Sequence, residues 1–385
     1  MTPPAKGLAK RFTGARLRLA RHLRGFTQTD LAAIVGVSHQ FIGYLETGAK
    51  EPNDVLVRAL GAALGFDVEF FYLSAPDEST DEECYFRRRH STPVAVRNQV
   101  LAHTTLFGEL LAYLELKLQL PESSLPTIRV ANRDQIEHAA ERCRMLWALG
   151  RDVPIKNVAR VLENAGIAIT RFEGLSEKVD AFSRIGQPNV IVLNDKTPSR
   201  SRWDLAHECG HLVMHGGMSA ETVEAEQEAH SFAGAFLMPR AGFVREFPRT
   251  RRIDWEALFR LKHRWRVSLA ALVRRAFDLD LIDALRYRQA YKYMSMHGWL
   301  RDEPEEVEPE PPELIDVAFR ELRQTFGITP AEVAKSLYWN RETFVTITGI
   351  EVPAVSSAME SADNIVDIRS RTHASLRFRR PHAAP

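Results

Sequence analysis

Apolar residues in the first 75 positions recur three and four apart, and residues that start or stop helices interrupt them. A basic amphipathic segment, Ala15–Leu23, precedes a segment that begins at Thr27 and ends at Gly36, and Ser38 opens the next one. Ser and Thr accept hydrogen bonds from the first amides of a helix, and Gly favours the left-handed turn that ends one. The pattern predicts an all-α bundle in which two short helices meet at a glycine turn, as in a helix-turn-helix.

The hydrophobic pattern changes in the middle of the chain, where β-branched alternating runs lie between helical segments. Strands are expected at Ile167–Phe172, Val179–Ser183 and Asn189–Asn194, and helices at Gln135–Trp147, Ile155–Ala165 and Glu221–Leu237. This second unit therefore mixes helices with a small sheet. The expected fold class for the whole chain is mainly α with a small β-sheet (α+β).

Changes in composition suggest where the units begin and end. The predicted order is a helix-turn-helix bundle at 1–75, a helical connector at 76–130, the α+β domain at 131–301, an acidic Pro/Glu linker at 302–313, and a small helical unit with a basic tail at 314–385. A stretch so rich in Pro and Glu is typical of extended, disordered chain. The linker and the tail are both expected to be disordered.

The segment Trp203–His215 carries unusual chemistry for an amphipathic helix. At about 100° per residue, its apolar residues cover one side, and three imidazoles and two carboxylates fall within roughly one quadrant of the other. That quadrant holds Asp204, His207, Glu208, His211 and His215. Two imidazoles one turn apart can bind one zinc ion, and Glu208 can act on water held there. Four of the 13 histidines lie within the 24 residues 207–230, which favours a metal site over a chance string.

A third ligand is expected from the acid-rich helix that follows. Its candidates are Glu224, Glu226 and Glu228. Glu224 lies farthest from the apolar side and ranks last, but periodicity barely separates the other two. The residues alone leave the choice open.

The distribution of charge and the number of cysteines indicate which partners and which cellular compartment to expect. The net charge is +1, yet residues 1–24 carry seven Lys/Arg and no acid, 302–313 carry seven acids and no base, and 368–385 carry five Arg and no acid. A basic end fits a nucleic-acid partner. Three scattered cysteines fit a reducing cytoplasm, and neither a membrane-spanning run nor a secretory signal is expected.

The stretch TQTDLAAIVGVSHQFIGYLETGAKEP resembles the phage-repressor (Xre-type) helix-turn-helix family over about 60 residues. The resemblance implies double-stranded DNA as a partner, a homodimer on paired half-sites, and a core that includes Leu31, Ala32, Val37, Ile42 and Leu45. DNA contacts are implied for Gln28, Ser38, His39, Gln40, Tyr44 and Lys50. Gln40 can pair with adenine and Lys50 with phosphate, whereas the alternative for each residue is an ordinary solvated side chain.

The stretch RSRWDLAHECGHLVMHGG with EAEQEAHSFAGAFLMP resembles the ImmA/IrrE family of zinc metallopeptidases. The similarity covers roughly residues 150–305 and implies a zincin-like metallopeptidase domain built around the HExxH helix. The third metal ligand of that family falls on Glu226. The resemblance thus implies one Zn²⁺ per chain on His207, His211 and Glu226, with Glu208 as the catalytic base.

Three positions depart from the family pattern. His230 stands where Asn or Asp is common, Asp204 stands where Thr is common, and Cys209 lies within the motif. Asp204, His215 and His230 are candidates for orienting the ligands, with a purely structural role as the alternative. Cys209 points to the apolar side and is expected to be a buried small hydrophobe.

The leading functional hypothesis is a DNA-binding regulator carrying a zinc endopeptidase that cleaves a repressor or another regulatory protein. The runner-up is a regulator of the same architecture that senses a metal or ligand, in an antitoxin-like or phage-defence setting, without proteolysis. A third hypothesis is a plain repressor whose second domain only dimerises. Under the first two hypotheses His207 matters, and under the third it does not.

Overall fold

Helix-start residues build the N-terminal bundle as the pattern predicts. The computed structural model describes residues 11–77, 84–86, 93–172, 181–184, 186, 188–216 and 222–352. The bundle consists of α1 (Gly14–Leu23), α2 (Gln28–Val35), α3 (His39–Glu46), α4 (Asp54–Leu64) and a 3-10 helix at Val68–Tyr72. Thr27 and Asp30 form a capping box, Ser38 caps α3, and Gly36 closes α2 at a φ of 72°. Local capping thus fixes the turn between α2 and α3.

A small sheet lies within the second region. Its strands are β1 (Cys84–Phe86), β2 (Ile167–Arg171), β3 (Ala181–Arg184) and β4 (Asn189–Leu193), in the order β1-β3-β4-β2. β2 and β4 run parallel, and β3 is antiparallel to both β4 and β1. β1 was not predicted, because three residues carry too short a pattern and their partner strand lies about 100 residues away.

Between residues 93 and 300, the described part of the chain forms nine further helices. They are α5 (Val94–Glu115), α6 (Arg133–Leu146), α7 (Val158–Asn164), α8 (Pro198–Met214), α9 (Val223–Leu237), α10 (Arg240–Glu246), α11 (Trp255–Trp265), α12 (Leu269–Asp278) and α13 (Ala284–Met296). Apolar side chains of α6 to α9 share one buried core with β2 and β4. The fold class, mainly α with a small β-sheet, is confirmed.

The acidic segment 302–313, called here the acidic strap, differs from the disordered linker that its composition predicts. It lacks regular secondary structure, but it is packed along the second region. Glu303 accepts from the Leu269 amide at 2.8 Å, Glu306 from the Ser199 amide at 2.9 Å, and Glu310 from the Val158 amide at 2.6 Å. These amides lie in the first turns of α12, α8 and α7, where a helix has unpaired donors and favours negative charge. The expectation of disorder is therefore wrong for this segment.

Buried cations also hold the acidic strap. Lys262 is fully buried and donates to Glu303 at 2.7 Å, while Arg202 of α8 pairs with Glu310. A buried charge is costly unless it is paired, so each partner makes the burial of the other tolerable. The strap thereby ties the N-terminal half of α8 to the neighbouring helices.

Among the described residues, three more helices follow the acidic strap. They are α14 (Leu314–Phe326), α15 (Pro330–Ser336) and α16 (Arg341–Thr348). The Thr343 hydroxyl donates to the Gly65 carbonyl at 2.7 Å, and Thr170 of β2 donates to the Ile347 carbonyl at 3.2 Å. The described residues from 11 to 351 accordingly form one compact unit, and the predicted domain boundaries remain predictions. The predicted basic tail after residue 365 lies outside the described residues.

Candidate metal centre

The polar quadrant of α8 is buried between α9 and β3, although it carries charged side chains. His207, Glu208 and His211 are each no more than 3% exposed. Gly210 makes the approach of α9 possible, because an added Cβ would lie only 3.0 Å from the ring of Phe232. The apolar side of α8 faces the shared core, so the amphipathic pattern directs the imidazoles toward α9.

Two imidazoles and one carboxylate converge at the crossing of α8 and α9. The Nε2 atoms of His207 and His211 lie 3.2 Å apart. Glu226 places Oε2 at 3.5 Å from the His207 Nε2 and Oε1 at 3.1 Å from the His211 Nε2. Among the described residues, these three form the His/Cys/Asp/Glu group whose donor atoms are close enough to share a metal ion. The sequence-predicted ligand set is thus brought together, and its ligand role remains a prediction.

The other two acidic candidates of α9 lie elsewhere. Glu224 is exposed at the rim of the cleft in front of the cluster. Glu228 faces His215 instead, with Oε2 at 2.9 Å from the His215 Nε2. Burial raises the pKa of Glu226, but the hydrogen bonds and charges of His207 and His211 outweigh it and bring that pKa to about 2. Glu226 is therefore the acid that the histidine pair holds in its charged form.

Glu208 lies beside the cluster and bonds to the sheet. Its Oε2 accepts a hydrogen bond of 2.7 Å from the hydroxyl of Ser183 on β3. Burial raises the pKa of Glu208 to about 7, against the opposing effects of His211 and Ser183. A carboxyl group with such a pKa can both accept and release a proton near neutral pH. Ser183 was missed in the sequence, because its partner is 25 residues away and no local pattern marks it.

The three candidate orienting residues take different positions. His215 is buried, and its Nδ1 lies 3.1 Å from the His211 Nδ1. The ring of His230 contacts that of Trp203 at a centroid distance of 4.9 Å and a tilt of 55°, and it lies 6.3 Å from the ring of His207. Asp204 is buried in a cavity that His230 also lines, and its charge contributes to the raised pKa of Glu208. His215 thus lies in direct contact with a predicted ligand.

Cys209 points away from the cluster. Its side chain is fully buried in the apolar core, and burial raises the pKa of its thiol well above the ordinary value. A buried thiol with a raised pKa is neither a good nucleophile nor a good metal ligand. The structure thus places Cys209 where a small hydrophobe would lie.

The predicted DNA-facing residues are only partly available to a ligand. His39, Gln40, Tyr44 and Lys50 are exposed, and the Lys50 ammonium lies 5.0 Å from the Tyr44 ring centre. Gln28, by contrast, donates at 2.8 Å to Glu46, which is buried and paired with Arg21. Ser38 uses its hydroxyl to accept from the Phe41 amide. The side chains of Gln28 and Ser38 are thus engaged within the bundle.

Two family models match this chain, one near its N-terminus and one in its middle region. Residues 14–69 match a family model described as a helix-turn-helix domain, and residues 162–277 match a peptidase family model described as an IrrE N-terminal-like domain. Both resemblances inferred from the sequence motifs are confirmed. Within the described residues, no helix is both long and apolar enough to cross a membrane.

Curated relatives match part of the chain. Uncharacterized HTH-type transcriptional regulators of Mycobacterium bovis and of two strains of Mycobacterium tuberculosis are 32% identical over 92 residues, which is 23% of this chain and 36% of theirs. The chain therefore spans about a third of the length of the curated relatives it matches. Residues 14–69 are a helix-turn-helix domain and residues 162–277 an IrrE N-terminal-like domain, joined in one protein.

Proposed function

We propose that this protein is a DNA-binding transcriptional regulator whose IrrE N-terminal-like domain is a zinc-dependent endopeptidase. The observation that carries the proposal is the convergence of His207, His211 and Glu226 next to the buried carboxyl group of Glu208. A protein that used this domain only for dimerisation would have no need to bury three imidazoles and two carboxylates together, with the partly buried Glu226 beside them. Burying such groups is unfavourable unless they bind something or one another.

The donor set fits zinc in both chemistry and spacing. Imidazole nitrogens and a carboxylate oxygen are the usual ligands of catalytic zinc, which keeps a fourth position for water or substrate. With bonds of about 2.0–2.1 Å, the donors of a tetrahedral site lie about 3.3 Å apart. The two Nε2 atoms lie 3.2 Å apart, and the carboxylate of Glu226 places Oε2 at 3.5 Å from that of His207 and Oε1 at 3.1 Å from that of His211. We therefore assign one zinc ion per chain to His207, His211 and Glu226.

Zinc supplies Lewis-acid chemistry, which polarises a peptide carbonyl and makes water more acidic. Glu208 supplies the proton transfers. Its carboxylate takes a proton from the attacking water as the new C–O bond forms, and gives it to the amine nitrogen as the C–N bond breaks. Ser183 orients this carboxylate through its bond to Oε2.

The DNA partner and the protein substrate are inferred from the other domain and from the pairing of the two. The exposed side chains His39, Gln40 and Tyr44 of the helix-turn-helix would face bases, and Lys50 would face phosphate. Two such domains in a homodimer would bind paired half-sites. A regulator that binds DNA and carries a peptidase fits cleavage of a repressor or another regulatory protein.

The test compares the wild-type chain with Glu208→Gln, each loaded with zinc. Candidate substrates are the purified transcription factors encoded beside its own gene, and new chain termini are read by mass spectrometry. We expect the wild type to cleave one of them and Glu208→Gln to cleave it 10²- to 10⁴-fold more slowly, the usual contribution of general acid–base catalysis. Zinc content should stay at one ion per chain in both proteins.

Glu224→Gln is the matched control, because it removes a nearby but exposed carboxylate of α9. It should cleave like the wild type. If the Glu208→Gln variant binds zinc and still regulates transcription from the chain's own promoter as the wild type does, the non-proteolytic sensing function is favoured instead. Failure of the wild type to bind zinc would contradict the peptidase and the metal-sensing form of the alternative, and would leave only the sensing of another ligand.

DNA binding is tested separately with fragments of the chain's own promoter. Gln40→Ala should weaken binding to the preferred fragment by about 1–3 kcal/mol and leave non-specific binding nearly unchanged. Equal loss on all fragments would argue that Gln40 does not contact bases.

A further inference from the structure

We propose that Glu228 and His215 act as a positioning pair that fixes the ring of His211 in the form that binds the metal. The inference rests on the zinc site proposed above and extends it to two residues outside the ligand set. Its basis is a continuous row of contacts that runs from α9 through the end of α8 to the cluster.

The row has three links. Glu228 Oε2 lies 2.9 Å from the His215 Nε2, and the His215 Nδ1 lies 3.1 Å from the His211 Nδ1. The opposite nitrogen of His211, Nε2, lies 3.1 Å from Glu226 and 3.2 Å from the Nε2 of His207. In each imidazole, one ring nitrogen thus lies on the Glu228 side of the row and the other lies on the side of the cluster.

The directions of these bonds follow from the chemistry of the imidazole ring. A carboxylate only accepts, so His215 must carry a proton on Nε2. The neutral His215 ring then accepts at Nδ1, and the donor facing it is the Nδ1–H of His211. With its proton on Nδ1, neutral His211 presents the lone pair of Nε2 to the cluster. The row therefore selects the tautomer of His211 that can bind a cation at Nε2.

The placement of the pair suits this role. His215 is 5% exposed and follows the last residue of α8, where its backbone amide bonds to the His211 carbonyl at 2.9 Å. Glu228 lies only two residues after Glu226 on α9. The two helices that supply the ligands thus also supply the groups that orient one of them. Partners of this kind change metal affinity about 10- to 100-fold when they are removed.

The test measures zinc affinity of the full chain by competition with a chelator, without any substrate. His215→Ala should raise the zinc Kd 10- to 100-fold. Glu228→Gln should raise the zinc Kd less. The amide oxygen of glutamine still accepts a hydrogen bond from the Nε2–H of His215, but it carries no negative charge. Matched controls are Glu224→Gln on the exposed side of α9 and His138→Ala on the exposed side of α6, and both should bind zinc like the wild type.

Two further readouts separate positioning from a loss of fold. The ring ¹⁵N shifts of His211 should report the Nδ1–H tautomer in the wild type and a mixture in His215→Ala. Unfolding of the zinc-free proteins should have a similar midpoint in wild type and Glu228→Gln, so that this variant carries the test if His215→Ala does not fold.

The outcomes distinguish this inference from the proposed function. Wild-type zinc affinity in both His215→Ala and Glu228→Gln would overturn the positioning role and leave the peptidase intact. A wild-type chain that takes up no zinc would overturn the metal site itself. Weaker zinc binding in the two variants with unchanged controls would support the pair.

Discussion

Two regions of this protein gather carboxylates but hold them against different partners. The acidic strap carries seven acids in twelve residues, and its buried members face buried cations or the first amides of helices. The cluster of α8 and α9 holds the partly buried Glu226 and Glu228 against imidazoles instead. In the strap, Glu303 and Glu310 each pair with a buried cation, and Glu306 faces the start of a helix. In the cluster, two imidazoles and Glu226 converge in an arrangement that the proposed zinc ion would complete.

This difference shows that the number of acidic residues in a segment does not by itself indicate the function of that segment. Proline and glutamate at this frequency predict disorder, yet the strap is ordered because Arg202 and Lys262 are buried beneath it. The acids of α9 are far sparser, three in fifteen residues, yet Glu226 among them is the residue that we propose as a metal ligand. Partner chemistry decides which region stabilises the fold and which can bind a ligand.

The largest expected effect comes from breaking the central ion pair of the strap. Glu310→Gln leaves the guanidinium of Arg202 buried without its charge partner and weakens the cap of α7. We expect the free energy of unfolding to fall by about 3–5 kcal/mol, the usual cost of removing one partner of a buried pair. Denaturant unfolding measures it. If the Glu310→Gln protein that remains folded binds zinc with the affinity of the wild type, the strap and the cluster have separate roles.

A second prediction concerns a buried imidazole without the acid partners of the cluster. His103 stacks on Phe172 at 4.4 Å and bonds to the Thr346 carbonyl, and burial lowers its pKa from 6.5 to about 4. Protonation therefore favours the unfolded chain. Stability from this residue is fully present above pH 6.5 and is lost as the pH falls, by about 3 kcal/mol at pH 4.

His103→Leu isolates this contribution. Unfolding by denaturant at pH 7 and near pH 4.5 should show a smaller loss of stability in the variant than in the wild type. An identical loss in both proteins would mean that His103 is not buried in its neutral form.

The smallest effect is expected at the exposed end of the strap. Glu313 pairs with Arg160, and both side chains are at least a third exposed. Because water screens such a pair, Glu313→Gln should change the free energy of unfolding by no more than about 1 kcal/mol. A loss as large as that of Glu310→Gln would contradict the view that burial, and not charge alone, gives the strap its importance.

Much of the fold was predictable because it is coded by nearby residues. Thr27, Ser38 and Gly36 mark the helix ends of the bundle, and the alternation of Ile167–Arg171 and Asn189–Leu193 marks two strands. The spacing of His207 and His211 likewise places both rings on one side of one helix. These features need only the period of a helix or a strand.

Other features depend on contacts between distant residues. Periodicity left Glu226 and Glu228 unseparated, and only the packing of α9 on α8 turns Glu226 to the histidine pair and Glu228 to His215. The bond from Ser183 to Glu208 is equally non-local. No local pattern encodes a partner on another element.

By itself, then, the sequence determined the caps, the helix-turn-helix, the amphipathic side of α8 and the residue types able to bind a metal. Tertiary structure decided which acid reaches the imidazoles, where the resemblance had pointed to Glu226 and periodicity had left the choice open, and it alone decided that the acidic strap is ordered. The physical reason is that helical and strand periods are local properties of the chain. The burial of a charge is stable or unstable according to a partner that the chain brings in from elsewhere.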